Sequence, residues 1–283
     1  VDYETAEEIA LEFNCICEPE EKIDVIAELL KEEEDYRNVR IPADVTEQKK
    51  LLRSLMNVRP PRAISRQFLD VQDAYLKEEQ TQTAIVDVNG LPPSPLDERL
   101  YLWQGDITTL KVDAIVNAAN SGMCGCFYPL HSCVDNIIHS RSGIELRLYC
   151  AKMMQKQGHG EPTGQAKITP AFNLPSRYIL HTVGPIIYGD VQKEDEKLLA
   201  SCYRSCLSLA AENGLGSVAF CCISTGDFRF PNEKAAEIAV RTVREFLQEE
   251  TSVKKVIFNV FKDLDREIYE RLLGADSENP HRA

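Results

Sequence analysis

The sequence predicts an α/β protein, a three-layer α/β/α sandwich with a mixed central sheet, preceded by an all-helical extension. Three observations carry this. Residues 1 to about 90 place apolar side chains at helical spacing, whereas after Pro95 short β-branched and aromatic runs alternate with longer helical patterns. A cluster of turn formers, Asn89-Gly-Leu-Pro-Pro-Ser-Pro95, separates the two rhythms. The expected limits are residues 1–95 for the extension, 96–274 for the sandwich and 275–283 for a frayed tail around Asp276-Ser-Glu-Asn-Pro280.

Within the extension, Ile23-Val25-Ile26-Leu29-Leu30 and Leu51-Leu52-Leu55-Met56 each mark the buried stripe of a helix. The acidic run Glu32-Glu33-Glu34-Asp35 reads as a solvated face or, alternatively, a docking surface for a basic partner. Asn57-Val-Arg-Pro-Pro61 ends the second helix, because proline drives the residue before it into extended backbone. A third helix is expected near Gln67 to Glu78. In the sandwich, strands are expected at Leu100–Trp103, Ala114–Val116, Tyr178–Leu180, Val218–Cys222 and Val256–Phe261. Helices are expected near 134–155, 194–213, 232–249 and 265–273.

The formal charge of -13 leaves no cationic surplus to displace counterions, which excludes non-specific binding to a nucleic-acid backbone. No apolar run is long enough to span a bilayer. Ten cysteines in a chain of 283 residues, with no apolar leader ahead of Val1, read as reduced thiols of a cytoplasmic monomer. Cys202, Cys206, Cys221 and Cys222 lie inside apolar runs and read as small buried hydrophobes.

Polar residues close the predicted strands, the place where open α/β sheets bind ligands. After Trp103 comes Gly105-Asp106-Ile107-Thr108, where Asp106 either accepts hydrogen bonds from a ligand or caps a turn. Between the strand ending at Ile223 and a helix beginning near Pro231 lies Ser224-Thr225-Gly226-Asp227-Phe228-Arg229-Phe230. With Pro231 expected at the helix's first position, the free amides there make an anion site, and a diphosphate would fit; an ordinary strand-to-helix loop is the alternative. Asp227 and Arg229 cancel, so backbone amides would have to dominate.

The third strand end is Asn117-Ala-Ala-Asn120, which leads into a loop carrying Cys124, Cys126, His131 and Cys133. Asn120 is a candidate ligand contact. Thiolate and imidazole donors select zinc, and Cys126, His131 and Cys133 would leave a fourth position open. Were Cys124 also bound, the site would be closed and structural. Asp135 and Asn136 follow at a helix start, where Asp135 either caps the helix or serves as general base or charge stabiliser beside the metal. His139, one turn further, reads as a packed core residue before a fourth ligand.

Together and in this order, Gly105-Asp106-Ile107, Asn117-Ala-Ala-Asn120, Cys126-His131-Cys133-Val-Asp135-Asn136, Leu174-Pro175, His181-Thr-Val-Gly-Pro185 and Ser224-Thr225-Gly226 resemble the macrodomains, specifically the zinc-dependent protein-ADP-ribose hydrolases. The segment Leu51 to Pro61 is similar to the N-terminal extension of that subgroup. The resemblance implies hydrolytic removal of mono-ADP-ribose from modified proteins, or in the other reading non-catalytic ADP-ribose binding with a structural zinc. It implies that Asp106 and Ile107 meet the adenine, with Phe261 flanking it, and that Ser224, Thr225, Gly226 and Phe228 surround the diphosphate, with Asp227 in the same loop. It further implies that Asn120 and Asp135 face the distal ribose as the catalytic pair, with Asn117 and Asn136 among the substrate contacts. Arg229 departs from the family pattern, where glycine is usual; it would either disturb the backbone path or add positive charge near the phosphates.

Overall fold

The structure, a computed structural model, describes residues 19–32 and 34–274. The helical expectation for residues 1–18 and the frayed tail 275–283 lie outside the described residues.

Three helices form the extension: α1 (Pro19–Glu32), α2 (Val45–Val58) and α3 (Arg66–Thr81). Asp44 caps α2 by accepting from the Glu47 amide, and Ser65 caps α3 by accepting from that of Phe68. Val25, Ile26, Leu29, Leu52, Leu55, Phe68 and Leu76 bury their stripes in one small core closed by Ile144. Arg59 fastens the end of α2 to the end of α1 through a two-pronged pair with Glu32, at 2.6 and 2.8 Å.

The sandwich follows as β1 (Val86–Asp87), β2 (Leu100–Gln104), β3 (Leu110–Lys111), β4 (Ala114–Ala118), α4 (Val134–Ser142), α5 (Ile144–Gln157), β5 (Ala166–Pro170), β6 (Tyr178–Thr182), α6 (Lys193–Glu212), β7 (Ser217–Phe220), α7 (Asn232–Phe246), β8 (Lys255–Val260) and α8 (Asp263–Gly274). The main sheet has six strands in the order β2-β8-β7-β4-β6-β5, and β1 pairs β3 separately. Only β5 runs antiparallel in the main sheet, so the sheet is mixed as expected. Helices α6, α7 and α8 pack side by side, while α4 and α5 pack on each other and onto β4 and β5. Strands β4, β6, β7 and β8 are buried on both sides, which explains their unbroken apolar runs.

Three expectations needed correction. The single helix expected over 134–155 is two, α4 and α5, because Gly143 turns the chain with φ 97 and ψ 175, a conformation open only to glycine. Strand β5 went unread, since Ala-Lys-Ile-Thr-Pro is an edge strand with little apolar alternation. Pro231 stands at the N-cap with ψ 127 and not at the first helical position. Among the described residues no helix is long and apolar enough to cross a membrane.

Candidate functional site

The five parallel strands of the main sheet end along one edge, and every site residue expected from the sequence lies in the loops that leave β2, β4, β7 and β8 there, at the end of β4 or in the first turn of α4. Asp135 lies in the first turn of α4 and is 5% exposed. The Asn117 amide donates to Asp135 Oδ1 at 2.8 Å, and that of Asn120 to Oδ2 at 3.3 Å. Burial pushes the Asp135 carboxyl up to about 6, against the pull of the Asn117 hydrogen bond and the Arg147 charge.

Asn117 and Asn136 do not stand where a substrate could touch them. Both side chains are wholly buried. The Asn117 amide serves Asp135 and also donates to His181 Nδ1 at 3.1 Å, so the His181 proton sits on Nε2 and is given to Thr169 at 2.9 Å. Burial takes the His181 pKa down to about 3, and the ring stays neutral. Asn136 donates to the Tyr128 carbonyl at 2.9 Å and accepts from Arg53 at 2.8 Å. These two asparagines hold the site from behind. Asn120, by contrast, is exposed, and its Oδ1 accepts from the Gly122 amide at 3.0 Å.

The donor atoms of Cys126, His131 and Cys133 lie within 4.8 Å of one another, and Cys126 Sγ is 3.7 Å from His131 Nδ1. Tetrahedral zinc holds sulfur and nitrogen ligands at ~2.0–2.3 Å, which sets them about 3.5 Å apart, so this donor set fits the ion. Cys133 also caps α4, its sulfur accepting from the Asn136 amide at 3.4 Å. Burial and the nearby Cys126 push the Cys133 thiol up, so its thiolate needs a cation beside it. Cys124 falls outside the trio, and its carbonyl is taken by Arg147 at 2.8 Å.

A second donor cluster, His139, Cys150 and His181, is fully buried. Both His181 nitrogens are already spent, and the His139 ring packs under Gly125, where a Cβ would come within 2.8 Å of it. His139 thus has the core position expected of it, with Nε2 3.6 Å from Asp135 Oδ1.

The loop from Ser224 to Phe230 holds its path by two left-handed residues, Ser224 (φ 64) and Arg229 (φ 60). The Arg229 amide donates to the Gly226 carbonyl at 3.0 Å, closing a turn that leaves Gly226 and Asp227 exposed. Arg229 therefore follows the route a glycine would take, and its exposed side chain adds positive charge at the rim. Gly184, after β6, lets the loop approach: a Cβ there would lie 2.0 Å from Ser224 Oγ. Phe228 is half-buried and its carbonyl accepts from the Ile187 amide at 2.8 Å, while Asp227 Oδ2 reaches to 3.8 Å from His131 Nε2.

At the other end, Asp106 realises its capping role, accepting at Oδ1 from the Thr108 amide at 3.0 Å and the Thr108 hydroxyl at 2.7 Å. Ile107 buries its side chain in the core, so only its main chain can meet a ligand. Phe261 stands 76% exposed just past β8. Sequence reading missed the parts played by Arg53, Asn57 and Arg147. An arginine between Leu146 and Leu148 on an apolar helix is the one signal that could have pointed to Arg147.

A family model described as the Macro domain matches residues 116–239. A protein-ADP-ribose hydrolase of Treponema medium is 57% identical over 257 residues, spanning 90% of this chain and 98% of its own length. Another, from Staphylococcus aureus (strain MSSA476), is 48% identical over 255 residues, spanning 90% and 95%. Among solved structures, the Trypanosoma brucei macrodomain in complex with ADP-ribose superposes with a TM-score of 0.62 at 32% identity, over 78% of this chain and 95% of that one. A mutant Oceanobacillus iheyensis macrodomain with ADPR gives 0.58 at 40% identity, over 64% and 94%. With two hydrolases matched along nearly their whole length and macrodomain structures matched in fold, the chain belongs to the macrodomain family of protein-ADP-ribose hydrolases.

Proposed function

We propose that this protein is a zinc-dependent hydrolase that removes mono-ADP-ribose from modified proteins, binding ADP-ribose across the strand-end loops. One observation carries the reading: a buried carboxyl, Asp135, held at both oxygens by asparagine amides, stands two residues from the Cys126, His131 and Cys133 donor set. The relatives named protein-ADP-ribose hydrolases and the macrodomain structures with ADP-ribose support the substrate class.

In this reading the loop from Ser224 to Phe228 binds the diphosphate through its amides, and Asp106, Ile107 and Phe261 face the adenine. Zinc, when bound, supplies positive charge that orients the distal ribose or a water; two thiolates cancel its formal charge and weaken its power to acidify that water. Asp135 takes the proton from the attacking water at the oxygen shared with Asn120, or stabilises positive charge that develops on the sugar. The new bond joins the water oxygen to the distal ribose or to the acyl carbon of an ester on it. Where water attacks the ribose, the bond to the protein side chain breaks and that side chain leaves with the proton; where it attacks the acyl carbon, the acyl–oxygen bond breaks and the ribose hydroxyl takes the proton. The eight described cysteines are all free, which suits a reducing cytoplasm.

The test is Asp135→Ala. It should lose at least about a hundredfold of the hydrolysis rate, the scale of a general base, while one zinc per chain and ADP-ribose affinity stay at wild-type levels. Full retained activity would remove Asp135 from the chemistry. Tight ADP-ribose binding with no turnover in the zinc-loaded wild type would make the protein a reader.

A further inference from the structure

We propose that the helical extension holds the metal loop in shape, with Arg53 and Asn57 of α2 and Arg147 of α5 as positioning residues for the Cys126, His131 and Cys133 donors. This rests on the zinc reading above. The loop from Gly122 to Cys133 has no helix or strand of its own, so its main-chain groups must find partners elsewhere. Many of those partners sit on the extension or are shared with it.

Arg147 is the centre of the arrangement. Its guanidinium is buried, donating from Nε to the Cys124 carbonyl at 2.8 Å and from Nη2 to that of Cys126 at 3.4 Å. Nη1 donates to the carbonyls of Met56 at 3.0 Å, Asn57 at 2.7 Å and Arg59 at 2.7 Å. Those carbonyls close α2, where the helix dipole favours a cation. One side chain therefore joins the end of an extension helix to the start of the metal loop, and it lies 4.2 Å over the Phe127 ring as well.

The far side of the loop is gripped by α2 itself. Arg53 Nη2 donates to the His131 carbonyl at 3.0 Å and to Asn136 Oδ1 at 2.8 Å. Asn57 Oδ1 accepts from the Leu130 amide at 3.0 Å, while its Nδ2 donates to Ser140 of α4 at 2.9 Å. Leu130 has φ 55, a left-handed conformation that a leucine keeps only when its surroundings impose it. The grips on Cys126, Phe127, Leu130 and His131 fall on a metal donor or on the residue beside one. The apolar core of the extension alone would require none of them.

The test uses the full chain carrying Arg53→Ala, Asn57→Ala or Arg147→Lys. Zinc affinity is measured by chelator competition, the cobalt(II) derivative by its absorption spectrum, and ADP-ribose binding and melting temperature alongside. Arg53→Ala lies at the edge of α2 and leaves the apolar core intact, so it folds even if Arg147→Lys does not. The expected result is zinc binding weakened about tenfold or more, as for other residues that orient metal ligands, with altered cobalt bands and ADP-ribose affinity within about threefold of wild type. Wild-type zinc affinity and cobalt spectra in Arg53→Ala and Asn57→Ala would overturn the inference. So would a parallel loss of ADP-ribose binding and melting temperature, which marks general destabilisation. A wild-type protein that takes up no zinc would overturn the zinc reading and this one together.

Discussion

At Arg229 two requirements of the proposed diphosphate loop meet in one residue. The backbone there is left-handed, with φ 60, which costs a non-glycine residue ~1 kcal/mol or more. The side chain, however, is exposed at the rim of a loop proposed to hold an anion, in a protein of charge -13. Arg229→Gly should therefore raise stability by about 0.5–1 kcal/mol in urea denaturation and weaken ADP-ribose binding severalfold, more so at low salt. A variant that is both less stable and tighter-binding would contradict this account of the residue. The sequence showed that Arg229 was out of pattern but not which consequence followed, because that depends on the turn made by Gly226.

Among the elements, the break between α4 and α5 matters most, since α4 carries Asp135 and α5 carries Arg147. A Cβ on Gly143 would come 2.7 Å from Gln72 Nε2, and Gln72 Oε1 accepts from the Ile144 amide at 2.8 Å. Gly143→Ala should thus strain the backbone and dislodge α3 from α5, a loss of about 2 kcal/mol or more. A urea midpoint unchanged within error would count against it. The alternation of strand and helix was legible because short unbroken apolar runs give way to longer patterns of helical period. The split at Gly143 was not, since a glycine within an apolar helical pattern is more often tolerated than chain-turning. The clustered donor set of Cys126, His131 and Cys133, and Asp135 beside it, come from one short stretch, 126–135. Their supports could not: Asn57 meets Leu130 across 73 positions and Arg147 meets Asn57 across 90, and local pattern is blind to such pairs.

For the whole molecule, the extension and the sandwich are linked through the loop from Gly122 to Cys133, so acid, and removal of the proposed zinc, should act on both. His181 is buried and neutral with its pKa taken down to about 3, while in the unfolded chain it titrates near 6.5. Below that pH the unfolded state takes up a proton that the folded state refuses, and stability falls until the pH reaches the folded pKa. Comparing wild type with His181→Gln by urea denaturation from pH 7 to pH 4.5 isolates this group from the buried carboxyls that titrate alongside it. The wild type should lose up to about 1.4 kcal/mol per pH unit more than the variant; parallel pH profiles would show that the ring is not buried as described.

The most direct test of the central claim is release of ADP-ribose from a mono-ADP-ribosylated protein by the zinc-loaded full chain, assayed before chelation, after it, and after reloading. Turnover that disappears on chelation and returns with one zinc per chain is the predicted result. Turnover at the same rate in the fully chelated protein would contradict it.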